Sequence, residues 1–589
     1  MATYRYATKD LSISTAKTFM RSITYTGGDA AAAVYYVILG NVYPYANEPT
    51  PIYPPDNEQY LKYGIHRRAI GGKKVTTGDV KHVTNRHDWS SGTVYSMYRD
   101  IDVDMYDRAF YVLTDENNVY KCLYNNKGGA STVKPTGFAT IPFTTSDSYT
   151  WKYMYTISLG DANKFLTAAH MPVSVAVAGQ TSTEATRQLA VQGAAVNGSI
   201  NIIEVENTGS GYSYVANAVV SSANTLTLTL QESAQISPLN GHYVGSSVYI
   251  LSGTGSGQLR RITKYAGSTK TLTVNTAFQT IANNDSRVVI SPSVVVVGDG
   301  KGAKAYADVN ANTGALTTIN VIDYGSEYTR ANALITANAT NGSGATANVV
   351  ISPTGGHGSD AIRELFADKI MLNVQFKGDI GVSANGNGYI PSNTEFRTIS
   401  LLKNPVLKVD ANNNTITTEV VANTTNSPST LRLTHRAQIS YLQMDGSDPV
   451  NPLTIKKTIT NERVRLLSET GEMEFVTELN PVQRDAAALT NAVKAANANI
   501  IYIRDDETET DPSFYTIYLN NVDSYGRHDA FVKDDIILAS DSETKVATIE
   551  SYKGPEANTY SGEIVFTENI QAVERDLEQT EDIKIILDF

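Results

Sequence analysis

Three short segments of this chain occur twice, in the same order and at nearly the same spacing. SVAVAGQ (174–180) returns as SVVVVGD (293–299), IEVENTGSGYS (203–213) as INVIDYGSEYT (319–329), and ANA (216–218) as ANA (331–333), at offsets of 119, 116 and 115 residues. Spacing this well kept marks an internal duplication rather than chance, so the region must hold two related units. Each copy reads as strand, strand, tight turn, strand, with glycines where a positive φ or a bulge is needed. The first copy carries an extra β stretch, about 239–292, so one β module is expected to be nested in the other.

The duplication lies inside a compositional island. From about residue 173 Ala, Val, Ser, Thr, Gly and Asn take over, and aromatics return only near 358. Outside it tyrosine dominates, and over the whole chain it outnumbers phenylalanine 35 to 14, which together with recurring Val, Ile and Thr runs predicts strands. Helical spacing is local. It predicts a helix over Ser14–Ile23 capped by Ser14, one over Asp360–Ala367 with Asp360 as N-cap and Arg363 and Glu364 facing water, and an alanine-rich one over Pro481–Asn499. A second island, 406–555, mixes strands with that last helix and the acidic run DDETETD (505–511). The expected fold is mainly β with a few short helices, multidomain, its discontinuous β-rich core interrupted by inserted β-sandwich or barrel-like modules. A length of 589 residues fits about three to five domains.

Net charge excludes some partners. The balance is −12, and basic residues cluster only as pairs (Arg67-Arg68, Lys73-Lys74, Arg260-Arg261, Lys456-Lys457), which argues against nucleic acid, since phosphate binding needs massed Lys and Arg. Cys122 is the sole cysteine, so no intrachain disulfide forms, in keeping with a reducing compartment. MATYRYATKDLSIS lacks the apolar core of a signal peptide, and the longest apolar run, 30–40, is about half a membrane span. The expectation is a protein that is neither exported through a signal nor inserted in a membrane.

Several stretches carry residues of chemical interest. NRHDWSSG (85–92) brings His87, Asp88 and Ser90 together, the residue types of a nucleophilic hydrolase. Adjacent side chains diverge in strand and helix alike, however, and triads are built from residues distant in sequence, so a turn with Trp89 packed into the core is the better reading. GTGSG (253–257) and GDGKG (298–302) match neither phosphate-loop pattern and precede strand-like sequence, so both read as β-turns. DANNNTITTEV (410–420) lacks the glycine and final glutamate of a calcium loop. DIDVDMYD (100–107) alternates acids along one strand face, and they read as solvated. His357 in GGHGSD reads as part of a glycine-lined connector, and YTWKYMYTISL (149–159) as a half-buried strand. No metal, cofactor or catalytic constellation is expected, and the chain is read as not an enzyme.

Seven ordered stretches resemble one family, the baseplate wedge proteins of T-even-like contractile-tailed bacteriophages, specifically the dimeric wedge subunit at the baseplate periphery. They are YYVILGNVYPYANEPTPIYPPDN (35–57), GKKVTTGDVKHVTNRHDWSSGTVYSMYRD (72–100), FYVLTDENNVYKCLYNN (110–126), YTWKYMYTIS (149–158), GGHGSDAIREL (355–365), FRTISLLKNP (396–405) and SGEIVFTENIQAVERDLEQTEDIKIILDF (561–589). They cover about half of the chain. The second contains R-x-D-W, here Arg86, Asp88 and Trp89; Pro44-Tyr45 stands where the family commonly has Trp. The resemblance implies a core made of 1–172, 356–405 and 556–589, with 173–355 and 406–555 as insertions.

It also implies a structural virion protein of the tail baseplate, assembled in the host cytoplasm. Such a protein forms a homodimer, contacts other wedge subunits and tail-fibre or peripheral baseplate proteins, and moves as a rigid body when the baseplate opens. Arg86, Asp88, Trp89, Trp151 and Arg397 are the expected structural-motif residues. The competing expectation is a receptor-binding or carbohydrate-active tail protein that uses the inserted modules, because tyrosines on β surfaces stack on sugars and paired carboxylates cleave them.

Overall fold

The computed structural model describes residues 8–24, 32–41, 45–54, 57–336, 342–377, 394–441, 472–476, 496–505, 514–523, 531, 533, 536–538, 545–575 and 579–589. The fold is mainly β, at 45% strand, and multidomain, with closed barrel-like sheets as expected. It divides into two units, Met1–Ile13 with His82–Lys369 and Phe589, and Ser14–Lys81 with Ile370–Asp588.

The first unit is built on an aromatic sheet. Its strands Tyr111–Leu113, Asn118–Asn125, Tyr149–Thr156 and Phe143–Thr144 pair antiparallel in that spatial order, with Cys122 opposite Trp151 and Lys121 opposite Lys152. The strand Tyr149–Thr156 was expected to be half-buried. It is buried on both faces: Trp151 and Tyr153, opposite Cys122 and Tyr120, lie on one, and Lys152, opposite Lys121, lies on the other beside Gly358 and Val191. The helix Thr183–Gly193 is capped by Ser182, whose hydroxyl accepts the Ala185 N–H, and it buries Gln188 and Val191.

Between the helix and residue 351 the chain forms a six-stranded sheet and a barrel. The sheet takes Leu316–Asp323, Lys304–Val309, Ser293–Gly298, Ala331–Thr336, Ser343–Ile351 and Ile200–Ser210 in that order, and its two edge strands approach, the Ile200 N–H donating to the Tyr324 carbonyl at 2.8 Å. Nested between Ile200–Ser210 and Ser293–Gly298 is a closed six-stranded barrel running from Val215 to Ser291. Nesting was expected, but 239–292 covers only the later part of the barrel.

The duplication also has a different content from the one its sequence suggests. Residues 174–177 form no strand, since that segment leads to the capped helix, whereas 293–298 do; 216–218 belong to the barrel and 331–333 to the sheet. The second match, 203–213 with 319–329, is the one whose copies are structural counterparts: each is a strand, Ile200–Ser210 or Leu316–Asp323, running into a turn, NTGSGY (207–212) or DYGSEY (323–328). Each faces a Gly-x-Gly-Ala-x-Ala strand start, 342–347 or 300–305, and each tyrosine hydroxyl accepts the alanine N–H, Ala345 to Tyr212 at 3.2 Å and Ala303 to Tyr328 at 3.4 Å. Gly209 (φ 57°) and Gly325 (φ 61°) are required there, because a Cβ would stand 2.6 and 2.5 Å from those alanine nitrogens.

The second unit holds a five-stranded sheet in the order Thr430–Arg432, Ala69–Lys74, Tyr35–Gly40, Glu395–Lys403 and Glu563–Glu574. All six residues of YYVILG are buried, which accounts for the unbroken apolar run. Thr430–Arg432 belongs to this sheet although it lies within 406–555. A second closed barrel uses His435–Tyr441, Phe514–Asp523, Ala496–Asp505, Glu472–Val476, Ile536–Leu538 and Lys545–Lys553.

The first helix is Lys9–Thr24, so Ser14 lies inside it and Thr8, whose hydroxyl accepts the Leu11 N–H, stands at its start. Asp360 does cap the helix Ala361–Glu364, yet Glu364 is buried rather than wet. Residues 481–495 lie outside the described residues, and Ala496–Asn499 begin a strand where the helix was expected to end. Pro44 and 506–511 also lie outside the described residues.

Candidate functional site

Two lysines directly opposite each other in a buried sheet repel unless something comes between them. Lys121 and Lys152 occupy that position, and the segment 355–364 supplies the counter-groups. Lys121 Nζ lies 3.0 Å from Glu364 Oε2, 3.1 Å from His357 Nδ1 and 3.9 Å from the centre of the Tyr98 ring, a cation–π distance. The second oxygen of Glu364 accepts backbone N–H groups from Gly358 at 2.7 Å and Asp360 at 3.3 Å. Lys152 donates to the Thr140 carbonyl. The Lys121, Glu364 and His357 side chains are 0%, 1% and 5% exposed.

Burial governs the protonation of this cluster. It draws the Lys121 ammonium down against the pull of Glu364, and Lys152 to about 8. Burial, with the Lys121 and Lys152 charges, holds His357 well below its ordinary value, so the imidazole is neutral and its Nδ1 accepts from Lys121. The glycine-lined loop is therefore a packed connector: at Gly358 (φ 93°) a Cβ would meet Val191 at 2.5 Å.

Sequence reasoning singled out His357 but passed over Lys121, Lys152 and Glu364. The available signal was a lysine inside each of two otherwise apolar strands, YKC and WKY. Their opposition depends on register, which shifts between Val119 and Tyr120 and again between Cys122 and Tyr124.

The R-x-D-W turn sits in the same unit and is a structural corner. Arg86 Nε bonds Asp88 Oδ1 at 2.8 Å and its Nη1 the Thr167 carbonyl at 2.9 Å. Trp89 donates its indole N–H to Ser131 Oγ at 3.1 Å and is partly buried against the aromatic core. Ser90 Oγ pairs with Thr93 Oγ1 at 2.6 Å, and His87 sits edge-on to Tyr111, so serine and histidine serve different neighbours. His87→Ala is expected to change stability by less than about 1 kcal/mol. Trp89→Ala should cost about 2 kcal/mol, below the range for a fully buried indole. Urea unfolding of both variants checks this, and equal losses would contradict it.

Trp151 is fully buried, stacked on Tyr149 at 5.4 Å and edge-on to Tyr95 at 6.0 Å. Arg397 lies in the second unit, its guanidinium holding Glu48 through Nη2 at 3.0 Å and Nε at 3.3 Å and also pairing with Glu395, while Tyr45 donates its hydroxyl to the Arg397 carbonyl. It ties the 45–48 turn to the five-stranded sheet. The five expected residues thus occupy three separate places rather than one site.

The remaining candidates resolve locally. GTGSG and GDGKG are turns between strands, as expected. Asp410 accepts N–H groups from Asn412 and Asn414 and closes a hairpin. Residues 100–107 form turns and a short 3-10 helix instead of a strand, with Asp102 and Asp104 both bound to Arg108. Among the described residues no group of three His, Cys, Asp or Glu side chains is placed to hold a metal ion, and no helix is long and apolar enough to cross a membrane.

Among the described residues, His66, His357 and His435 set an acid limit. Burial lowers His66 and His435 to about 4, and His357 is held low as described. The unfolded chain takes up these protons near pH 6.5 and the folded chain does not, so their contribution is complete above that pH and lost as pH falls toward 4. The expected slope is roughly 1.4 kcal/mol per pH unit for each histidine. Urea midpoints at pH 7 and pH 5 measure it, and His66→Phe should remove part of the difference; midpoints independent of pH would refute it.

No protein-family model matches the chain, and no curated protein sequence matches it.

Proposed function

We propose that this chain is a structural component of a phage tail baseplate, a wedge subunit that scaffolds baseplate assembly and its rearrangement during infection. The observation that carries the reading is the set of seven segments in family order. Within each unit the segments become neighbours: 35–40, 396–403 and 563–574 are adjacent strands of one sheet, and 355–365 packs on the sheet formed by 110–126 and 149–158. Segments far apart in sequence but joined in space form a stiff element, and its assembly energy would come from buried interfaces with other subunits. In this reading the protein is a homodimer within the virion, and rearrangement occurs at interfaces rather than by local chemistry.

Co-expression with neighbouring wedge subunits, followed by sedimentation, tests the proposal. A stable complex containing two copies of this chain is expected; a monomer that joins none of them would remove it. A second reading, carbohydrate binding, has one observation in its favour. A groove of about 480 Å³ in the second unit is lined by Tyr45, Tyr53 and Tyr60 together with Thr398, Thr567 and Asn569. Glycan-array binding abolished by Tyr53→Ala would favour it, and that location lies outside the inserted modules.

A further inference from the structure

We propose that Lys121 and Glu364 become joined by an intramolecular isopeptide bond, Nζ to Cδ, once the first unit has folded. Four observations converge on it. The amine nitrogen lies 3.0 Å from one carboxylate oxygen, Oε2, and both side chains are closed off from solvent. The other oxygen, Oε1, already receives N–H groups from Gly358 at 2.7 Å and Asp360 at 3.3 Å, donors aimed where negative charge grows when a carboxyl carbon is attacked. His357 Nδ1 is 3.1 Å from the amine nitrogen and 3.9 Å from Oε2, within reach of both the proton to be removed and the oxygen that leaves. The Tyr98 ring borders the amine, and Val191 crowds the loop at Gly358, a setting that favours neutral over charged groups.

The step balances without a co-reactant. The ammonium passes a proton to Oε2, giving a neutral amine and a neutral acid. Nζ then attacks Cδ, forming the C–N bond, and Oε1 carries the developing charge against the two N–H groups. The Nζ proton moves to His357 Nδ1 and from there to the departing Oε2 hydroxyl; the C–O bond breaks and one water leaves. Lysine ammonium and glutamate carboxylate have become one amide and one water, with no change of oxidation state.

The folded site favours this product for two reasons. Groups held in register react with effective molarities of roughly 10⁵–10⁸ M, which offsets the tendency of water to hydrolyse amides. The amide also replaces two buried charges, whose desolvation is costly, by one neutral group. The surroundings of Lys121 assist: neutral His357 supplies a lone pair, and burial disfavours the Lys121 ammonium.

Intact-mass measurement of the folded full-length chain decides the question. The expected mass is that of the sequence less one water, and a proteolytic map should show a branched peptide joining the Lys121 and Glu364 fragments. Lys121→Arg should restore the full sequence mass. After refolding from urea under conditions that begin with uncross-linked chain, His357→Gln should slow the loss of water at least tenfold. A folded wild-type chain at full sequence mass overturns the proposal, as does loss of water that maps to any other residue pair. Because the wild-type measurement alone suffices, a Lys121→Arg chain that fails to fold leaves the result decisive.

Discussion

Measured against wild-type chain in which the Lys121–Glu364 bond has not yet formed, Glu364→Ala is expected to lower the stability of the first unit by about 3–5 kcal/mol, the usual penalty for leaving one partner of a buried ion pair alone. Lys121 is fully buried, so after truncation its ammonium would face His357, Tyr98 and Lys152 with no counter-charge. The Gly358 and Asp360 N–H groups would also lose their acceptor, and the 355–360 loop its anchor on the sheet. Lys121→Met should cost less, because Glu364 keeps both backbone donors. The double variant Lys121→Met, Glu364→Gln should recover most of the loss, since an amide oxygen still accepts those bonds and no charge stays buried. Urea unfolding followed by near-ultraviolet circular dichroism reports on this tyrosine-rich unit. Additive losses in the double variant would mean that the two side chains do not act as a pair. With two units, separate transitions are to be fitted rather than one.

The second large effect is expected at Trp151. Its indole is fully buried, stacks on Tyr149 and meets Tyr95 edge-on, so Trp151→Ala should cost about 3–5 kcal/mol through lost transfer energy and the cavity left behind. Its indole nitrogen has no hydrogen-bond partner among the described residues, so replacement by Phe forfeits no bond and should cost less than half as much. The chain has only two tryptophans, and Trp89 remains at the sheet's corner as a fluorescent probe of the variant. A loss no larger than that of Trp89→Ala would show that the aromatic core tolerates a hole at its centre.

The alternation in YTWKYMYT identified a strand, and Asp360 identified a helix start, because both signals lie within a few residues of the structure they produce. Side-chain direction alone sends His87 and Asp88 different ways, and in the structure His87 meets Tyr111 while Asp88 binds Arg86. The burial of Lys152 was not legible, since a polar residue at every second position normally means a wet face and here means a second packed layer. Glu364 was placed in water for the same reason: a charged residue near a short helix gives no sign that a lysine lies 243 positions earlier in sequence, 3.0 Å away in space. The repeats misled through length. SVAVAGQ has strand composition, but the capped helix that follows it and packing against the aromatic core decide its conformation.

The nested barrel has its entry and exit strands side by side, Val215 paired with Ile290, while Ser293 resumes the surrounding sheet. A module attached through two neighbouring chain ends behaves as an interchangeable cassette. Its removal or replacement asks the host sheet for only a short connecting loop, whose closure entropy changes slowly with length. The paired strands flanking the junction, Ile200–Ser210 with Ser343–Ile351 and Lys304–Val309 with Leu316–Asp323, each carry their own glycine–tyrosine lock and so do not rely on the cassette for their register. Surface identity at this place can therefore diverge between related chains much faster than the frame that carries it.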